Sequence, residues 1–461
     1  MNDISISETK QERKQFYKMM LSLVMPIAFQ SLMLSAKNAS DAIMLGFQDQ
    51  SSLSAVALAG QITFVVNLFI IVLTQGTTLL AAQYWGKGDK KAIEMILGLA
   101  MKYTVAIMMV FFAAATFFPT FLMRMFTSDP VLISGGADYL RIIGISYVLT
   151  GITQVYLCIM RNTGKTAKST VIGSSAMILN IFLNAIFIFG MFGIPAMGIQ
   201  GAGIATVIAT AIQMIWVVIE IRKSDSMKVR LSYLIKIDKG LRSDFLKYTW
   251  PIVGNYFFWG GGVTIYSVII GHLGDDAVAA YAIANIARNL ITFVIAGVAA
   301  ASGIIVGNEL GRNNIGLAKL YAKRITIFSF LCGVASSAVL LLSWQGILNA
   351  SYLSPTATNY LSAMLLVNGY YILAGSINRT VIGGIFCAGG KSQFGLICDA
   401  IVLWVIIIPL GFLAGYVWQL SVILVFIILC LDEVIKVPIV YWYYRKYTWA
   451  SNITRETVET A

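Results

Sequence analysis

The chain has 461 residues, 58% of them hydrophobic and 12% charged, with a mean hydropathy of +0.80 and a formal net charge of +12. That profile excludes an ordinary soluble domain and places the chain among integral membrane proteins. The surplus basic residues are dispersed over alternate short connections, so they report topology and argue against nucleic acid as a partner.

Apolar runs of roughly 20–30 residues between short polar breaks predict about twelve spans. The first half reads 17–46, 52–85, 91–122, 131–161, 167–191 and 199–222, and the second 247–271, 277–311, 316–346, 356–388, 392–415 and 418–446. The polar first 15 residues carry no signal-peptide pattern, so the first run is expected to be a true helix. Basic residues sit in the N-terminal arm (Lys10, Arg13, Lys14, Lys18), in alternate connections (Lys87, Lys90, Lys91; Arg161, Lys165, Lys168; Arg312, Lys319, Lys323, Arg324; Lys391) and near the C-terminal end (Arg445, Lys446, Arg455). Arg124 is the exception. The positive-inside rule then puts both termini in the cytoplasm of a cell-membrane protein, with Gln48, Asp129, Asp275 and Tyr352 outside. The expected organisation is all-α: a six-helix lobe over 1–222, a solvated cytoplasmic linker over 223–246, and a second six-helix lobe over 247–461.

The second half repeats the first at one offset. Pro26 matches Pro251 and Gly46 matches Gly271. Residues 55–59 match 280–284, and Ala-Gln-Tyr-Trp-Gly-Lys (82–87) matches Gly-Asn-Glu-Leu-Gly-Arg (307–312). A duplicated helical bundle in a bilayer is the common build of secondary transporters, with substrate bound between the halves and access alternating as they rock. The copies part company at Asp41, whose counterpart is Tyr266.

Little in the chain suggests an enzyme. The five cysteines lack metal-ligand spacing and read as packing residues, and the single histidine, His272, rules out a histidine metal site. No nucleotide-binding loop or hydrolase motif is present, so no catalytic residue is assigned. Charges inside the spans are costly and therefore informative. Counting about 1.5 Å per residue from the outer ends puts Asp41 roughly 8 Å deep, Asn184 and Thr206 about 11 Å and Asn180 about 17 Å. A carboxylate with amide and hydroxyl oxygens suits Na⁺, whereas a proton needs only Asp41 in a dry site. Asn180 and Asn184, one turn apart, also fit a plain role as interhelical glue. Lys37, four residues before Asp41, shares its helix face. It is either a switchable partner of Asp41, a permanent one, or a cation facing a wet cavity. Arg379 and Asp399 lie at similar depth near the cytoplasmic end, where they form either a structural charge pair or, through Asp399, a second coupling site. Asp432, Glu433 and Lys436 are spaced for pairing within one helix. Arg141 and Arg288 are mid-membrane without a partner in sequence, so both are expected to face a central cavity. Tyr139, Trp259, Tyr266, Tyr281 and Met160 would give that cavity a plastic aromatic lining suited to organic cations.

These features together resemble the multidrug and toxic compound extrusion (MATE) family of cation-coupled antiporters, over nearly the whole chain. The resemblance is carried by Pro26, Asp41 and Gly46 in the first span and by Gln-Tyr-Trp-Gly-Lys-Gly-Asp (83–89). It continues through residues 161–166, 179–184, 201–206 and 388–399, then Pro409 and the Asp432, Glu433, Lys436 set. It implies a first-lobe cation site at the positions of Asp41, Asn180, Asn184 and Thr206. The chain departs from the family in having Asn184 and Lys165 where Asp is frequent, Cys387 where Arg is frequent, and Lys391 where Asp is frequent. Residues 255–262 lack the acidic residue of the NorM-like branch, so the chain is closer to the DinF-like branch.

The resemblance implies outward transport of organic, often cationic and amphipathic, compounds in exchange for Na⁺ or H⁺. The expected partners are a small-molecule substrate, the coupling cation and membrane lipids, with no cofactor beyond that cation. The competing reading is a flippase for lipids or lipid-linked oligosaccharides, because Lys37, Arg141 and Arg288 would together suit an anionic substrate.

Overall fold

The computed structural model describes residues 10–47, 50–223, 227–235, 238–351 and 353–455; Gln48 and Tyr352, expected outside, lie beyond these. Every regular element among the described residues is helical. The helices are α1 (Lys10–Gly46), α2 (Gln50–Lys87), α3 (Lys90–Phe117), α4 (Pro130–Asn162), α5 (Thr166–Phe189), α6 (Gly198–Arg222) and α7 (Lys239–His272). They continue with α8 (Asp275–Ile291), α9 (Phe293–Gly311), α10 (Ile315–Leu342), α11 (Pro355–Phe386), α12 (Ser392–Val417), α13 (Val422–Leu429) and α14 (Leu431–Arg445). Eleven of the described helices are long and apolar enough to cross a membrane. The expected eighth span is broken at Thr292 into α8 and α9, and the twelfth at Cys430 into α13 and α14. Their starts follow local chemistry. Asp129 accepts from the Val131 amide ahead of Pro130, and the Ser354 hydroxyl accepts from the Ala357 amide ahead of Pro355, capping α4 and α11.

The chain packs as two compact units. One holds residues 29–81 and 89–245. The other runs from Leu246 onward and takes in α1 up to Ala28 and residues 82–88. This redraws the expected lobes at two places. Phe16, Met20, Val24 and Ile27 are apolar on one face of α1 and share a buried core with Val298, Ile305 and Ile325. Residues 82–88 join the same unit because small residues allow close contact. A side chain at Gly86 would strike the Asn308 carbonyl, and one at Gly311 would strike the Gln83 carbonyl. Gln83 and Gly86 are the repeat counterparts of Asn308 and Gly311, so the two copies cross on equivalent residues.

The Gln-Tyr-Trp-Gly-Lys stretch also anchors the chain's end. Gln83 donates to the carbonyls of Ala388 (2.7 Å) and Ser451 (3.1 Å) and accepts from the Ile453 amide (2.8 Å). Lys87 Nζ donates to the Arg455 carbonyl at 2.7 Å. Within the connection over 223–246, the described residues 227–235 are tied to α3. Lys228 (backbone N–H, 3.0 Å) and Arg230 (Nε, 2.8 Å) both donate to Glu94, and Tyr233 lies against Gly98. Glu94 on α3 supplies the acceptor that ties this segment down.

Candidate functional site

In the unit holding residues 29–81 and 89–245, four of the expected cation-site residues form one chain of contacts. Asn184 Nδ2 donates to Asp41 Oδ1 at 2.5 Å and reaches Asn180 Oδ1 at 3.5 Å. Asn180 Nδ2 donates to Thr206 Oγ1 at 3.2 Å, and that hydroxyl donates to the Ala202 carbonyl at 3.0 Å. Asp41 comes from α1, the two asparagines from successive turns of α5, and Thr206 from α6. Spacing explains the asparagine pair, since residues four apart share a helix face. Both asparagines are buried, and Asn184 Oδ1 makes no hydrogen bond among the described residues. Turning that amide over would offer a buried oxygen beside Asp41.

Lys37 reaches this site. Its Nζ donates to Asp41 Oδ2 at 2.6 Å, with side-chain exposures of 21% and 25% for the two partners. The ammonium takes Oδ2 of Asp41 while Asn184 takes Oδ1, which favours Lys37 as a partner of Asp41 over a separate cavity cation. The Tyr139 ring packs beside the site on Leu45, Ile188 and Ala202.

Other expectations are corrected. Arg141 is not without a partner: its guanidinium lies 3.4 Å from Asp138, one turn earlier, and its side chain is 54% exposed. Arg288 donates to Asn285 at 2.7 Å and to Asn368 at 3.4 Å, and lies over the Tyr371 ring at 4.8 Å. Trp259, Tyr266 and Arg288 line a small cavity inside the C-terminal unit.

The Arg379–Asp399 pair is replaced. Asp399 accepts from Lys436 Nζ at 2.6 Å and from Asn255 Nδ2 at 2.6 Å, while Arg379 makes no ion pair among the described residues. The cause is helix phase. The backbone widens to π-helix over Arg379–Phe386 and again over Ala400–Ile407, so counting at an α-helical pitch loses which way a side chain faces. Lys436 also approaches Asp432 at 3.7 Å and Glu433 at 4.0 Å, the pairing that spacing within α14 predicted.

Sequence reasoning missed two polar positions, Gln30 and Asn255. Gln30 accepts from Arg161 at 3.4 Å, and Asn255 donates to Asp399. A signal was present, because each stands four residues after the repeated proline, Pro26 or Pro251. Close packing seats both: a side chain at Gly173 would meet Gln30, and one at Gly395 would approach Asn255.

Comparison with known proteins settles the family. The family model described as MatE matches residues 26–186 and 251–413, one copy in each repeat. The chain belongs to the MatE family. Among its MatE-type relatives, the uncharacterized transporter YisQ of Bacillus subtilis is 23% identical over 93% of this chain and 94% of that one. The probable multidrug resistance protein NorM of Thermotoga maritima is 22% identical over 98% and 97%, and the multidrug resistance protein MdtK of Yersinia pseudotuberculosis 26% over 86% and 87%. A MOP superfamily transporter from Pyrococcus furiosus superposes with a TM-score of 0.86 at 16% identity, covering 94% of this chain and 96% of that one. An outward-facing multidrug resistance MATE transporter gives 0.82 at 16% identity, covering 95% and 97%. At these identities the solved structures establish the shared fold. This MatE chain is a multi-pass, all-helical membrane transporter.

Proposed function

We propose that the chain is a secondary active exporter of the cell membrane. It moves organic, often cationic and amphipathic, compounds outward in exchange for Na⁺ or H⁺, with both of its termini in the cytoplasm. The names of its relatives NorM and MdtK support multidrug compounds as the substrate class. The observation that carries the coupling is the run from Asp41 through the buried Asn184 and Asn180 to Thr206, headed by a carboxylate paired with Lys37. A proton or Na⁺ arriving at Asp41 competes with the Lys37 ammonium and frees that side chain. Release of the ion restores the pair. Such an exchange gives the site two charge states from one carboxylate, which is what coupling to a gradient requires.

The flippase reading rested on three free cations. Two of them face a carboxylate, Asp41 for Lys37 and Asp138 for Arg141, while Arg288 is held by the neutral amides of Asn285 and Asn368. That weighs towards the cation-exchange reading.

The test is dye efflux from proteoliposomes with a Na⁺ or a proton gradient imposed separately. Efflux should follow one of the two gradients and fall to background in Asp41→Asn, with the variant still eluting as a folded monodisperse protein. Gradient-driven efflux at the wild-type rate in Asp41→Asn would sink the proposal.

A further inference from the structure

A second set of buried charges sits in the C-terminal unit, away from Asp41. Asp399, Asp432, Glu433 and Lys436 are all less than a tenth exposed, and one ammonium faces three carboxylates. Their compensation is unequal. Asp399 takes the short contact to Lys436 and a hydrogen bond from Asn255. Glu433 takes a hydrogen bond from Asn378 Nδ2 to its Oε2 at 2.7 Å. Asp432 has the 3.7 Å approach of Lys436 and a backbone N–H contact from Glu433, while its Oδ1 makes no hydrogen bond among the described residues.

Asp432 also lines a cavity of about 20 Å³, together with Trp259, Tyr266, Arg288, Tyr371 and Phe426. The Tyr266 hydroxyl and Arg288 Nε are buried and likewise make no hydrogen bond among the described residues. The volume suits one water molecule, and the three polar atoms suit its bonding. Such a water accepts from Arg288 Nε and from the Tyr266 hydroxyl and donates to Asp432 Oδ1.

We infer that Asp432 is a proton-accepting site of the C-terminal unit, built around one buried water shared with Tyr266 and Arg288. It goes beyond the Asp41 reading, because it concerns other residues in the other unit. Uptake adds a proton from water to the Asp432 carboxylate, giving a neutral carboxyl, and release reverses this. The titratable and charged groups around Asp432 are Tyr266 from α7, Arg288 from α8, Tyr370, Tyr371 and Arg379 from α11, Cys398 and Asp399 from α12, and Cys430, Glu433 and Lys436 at its own helix. Neither Arg288 nor Arg379 makes an ion pair with these carboxylates among the described residues. Within 4.0 Å of Lys436 three negative charges meet one positive charge. A proton on the least compensated acid relieves that excess at the lowest cost in buried charge.

Infrared difference spectroscopy on the purified transporter in lipid nanodiscs, taken across a pH series, reads the protonated carboxyl directly. A carboxyl band should appear on acidification, vanish in Asp432→Asn and persist in Asp41→Asn, Asp399→Asn and Glu433→Gln. Tyr266→Phe removes one hydroxyl and keeps the ring, so it should shift the band by changing the hydrogen bonding around the water. If Asp432→Asn fails to fold, that shift decides: a displaced band supports the site and an unmoved band overturns it. Absence of any carboxyl band, or its loss in another variant with Asp432 intact, overturns the inference. Loss confined to Asp41→Asn would overturn it while leaving the coupling proposal standing.

Discussion

Lys37 and Asp41 are four residues apart on one helix, and their contact is the clearest consequence of spacing in the molecule. Because both side chains keep some solvent exposure, the pair is expected to contribute on the order of 1 kcal/mol. A double-mutant cycle with Lys37→Ala and Asp41→Asn, followed by thermal melting, should return a coupling of that size that shrinks as Na⁺ or acid is added. Additive effects that ignore both ions would separate Lys37 from the exchange. A second prediction lies at Asn378, which donates to the Glu433 carboxylate and to its backbone carbonyl, both at 2.7 Å. Asn378→Leu removes these donors from a buried acid and should cost roughly 3 kcal/mol, read as a lowered melting temperature. Helix periodicity and depth made Asp41, Lys37, Asn180, Asn184 and Thr206 legible as one group. The partner of Asp399 was not legible. Lys436 arrives from a different helix, and depth counting gives a residue's level but not the direction in which its side chain faces, which the π-helical stretch from Arg379 alters.

Two of the glycines of helix α2, Gly60 and Gly86, differ in what surrounds them. Nothing lies within 4 Å of a side chain added at Gly60, whereas one at Gly86 would collide with the backbone of Asn308. Gly60→Ala should therefore be neutral or stabilising by up to about 1 kcal/mol, since alanine is the better helix former. Gly86→Ala forces two backbones apart and should destabilise by about 1–3 kcal/mol. Melting curves of the two variants in the same detergent should move in opposite directions or, at the least, only that of Gly86→Ala should fall. The repeat made this crossing partly legible, because 82–87 and 307–312 matched in type and spacing before any helix was placed. The breaks at Thr292 and Cys430 left no such mark. Polar pairs stand beside both breaks, Arg288-Asn289 and Asp432-Glu433, but neither break carries a proline, so the α-helical reading passed straight through them.

The two matches to the family model begin at the paired prolines, so duplication is the organising fact of the whole chain. Composition and repeat period were enough to reach an all-helical membrane transporter. The division into packed units was not legible in the repeat, because duplication marks where a copy begins and not which core a helix end joins. The first part of α1 is apolar on the face that meets Val298 and Ile305, and residues 82–88 meet α9 through glycine. An even number of spans per repeat has a further consequence, since it gives both copies the same orientation across the membrane. Lys87 and Lys391 are exposed near helix ends in different repeats, and Asp129 and Asp275 are exposed at the opposite kind of connection. Charge bias then predicts the lysines in the cytoplasm and the aspartates outside. Single cysteines at these four positions, in a background lacking the native five, should be labelled by a membrane-impermeant maleimide in a paired way. Asp129→Cys and Asp275→Cys should react from outside intact cells, and Lys87→Cys and Lys391→Cys only after permeabilisation. Outside labelling of either lysine position would show that the copy carrying it is oriented the other way, and an even span count in each repeat could not survive that result.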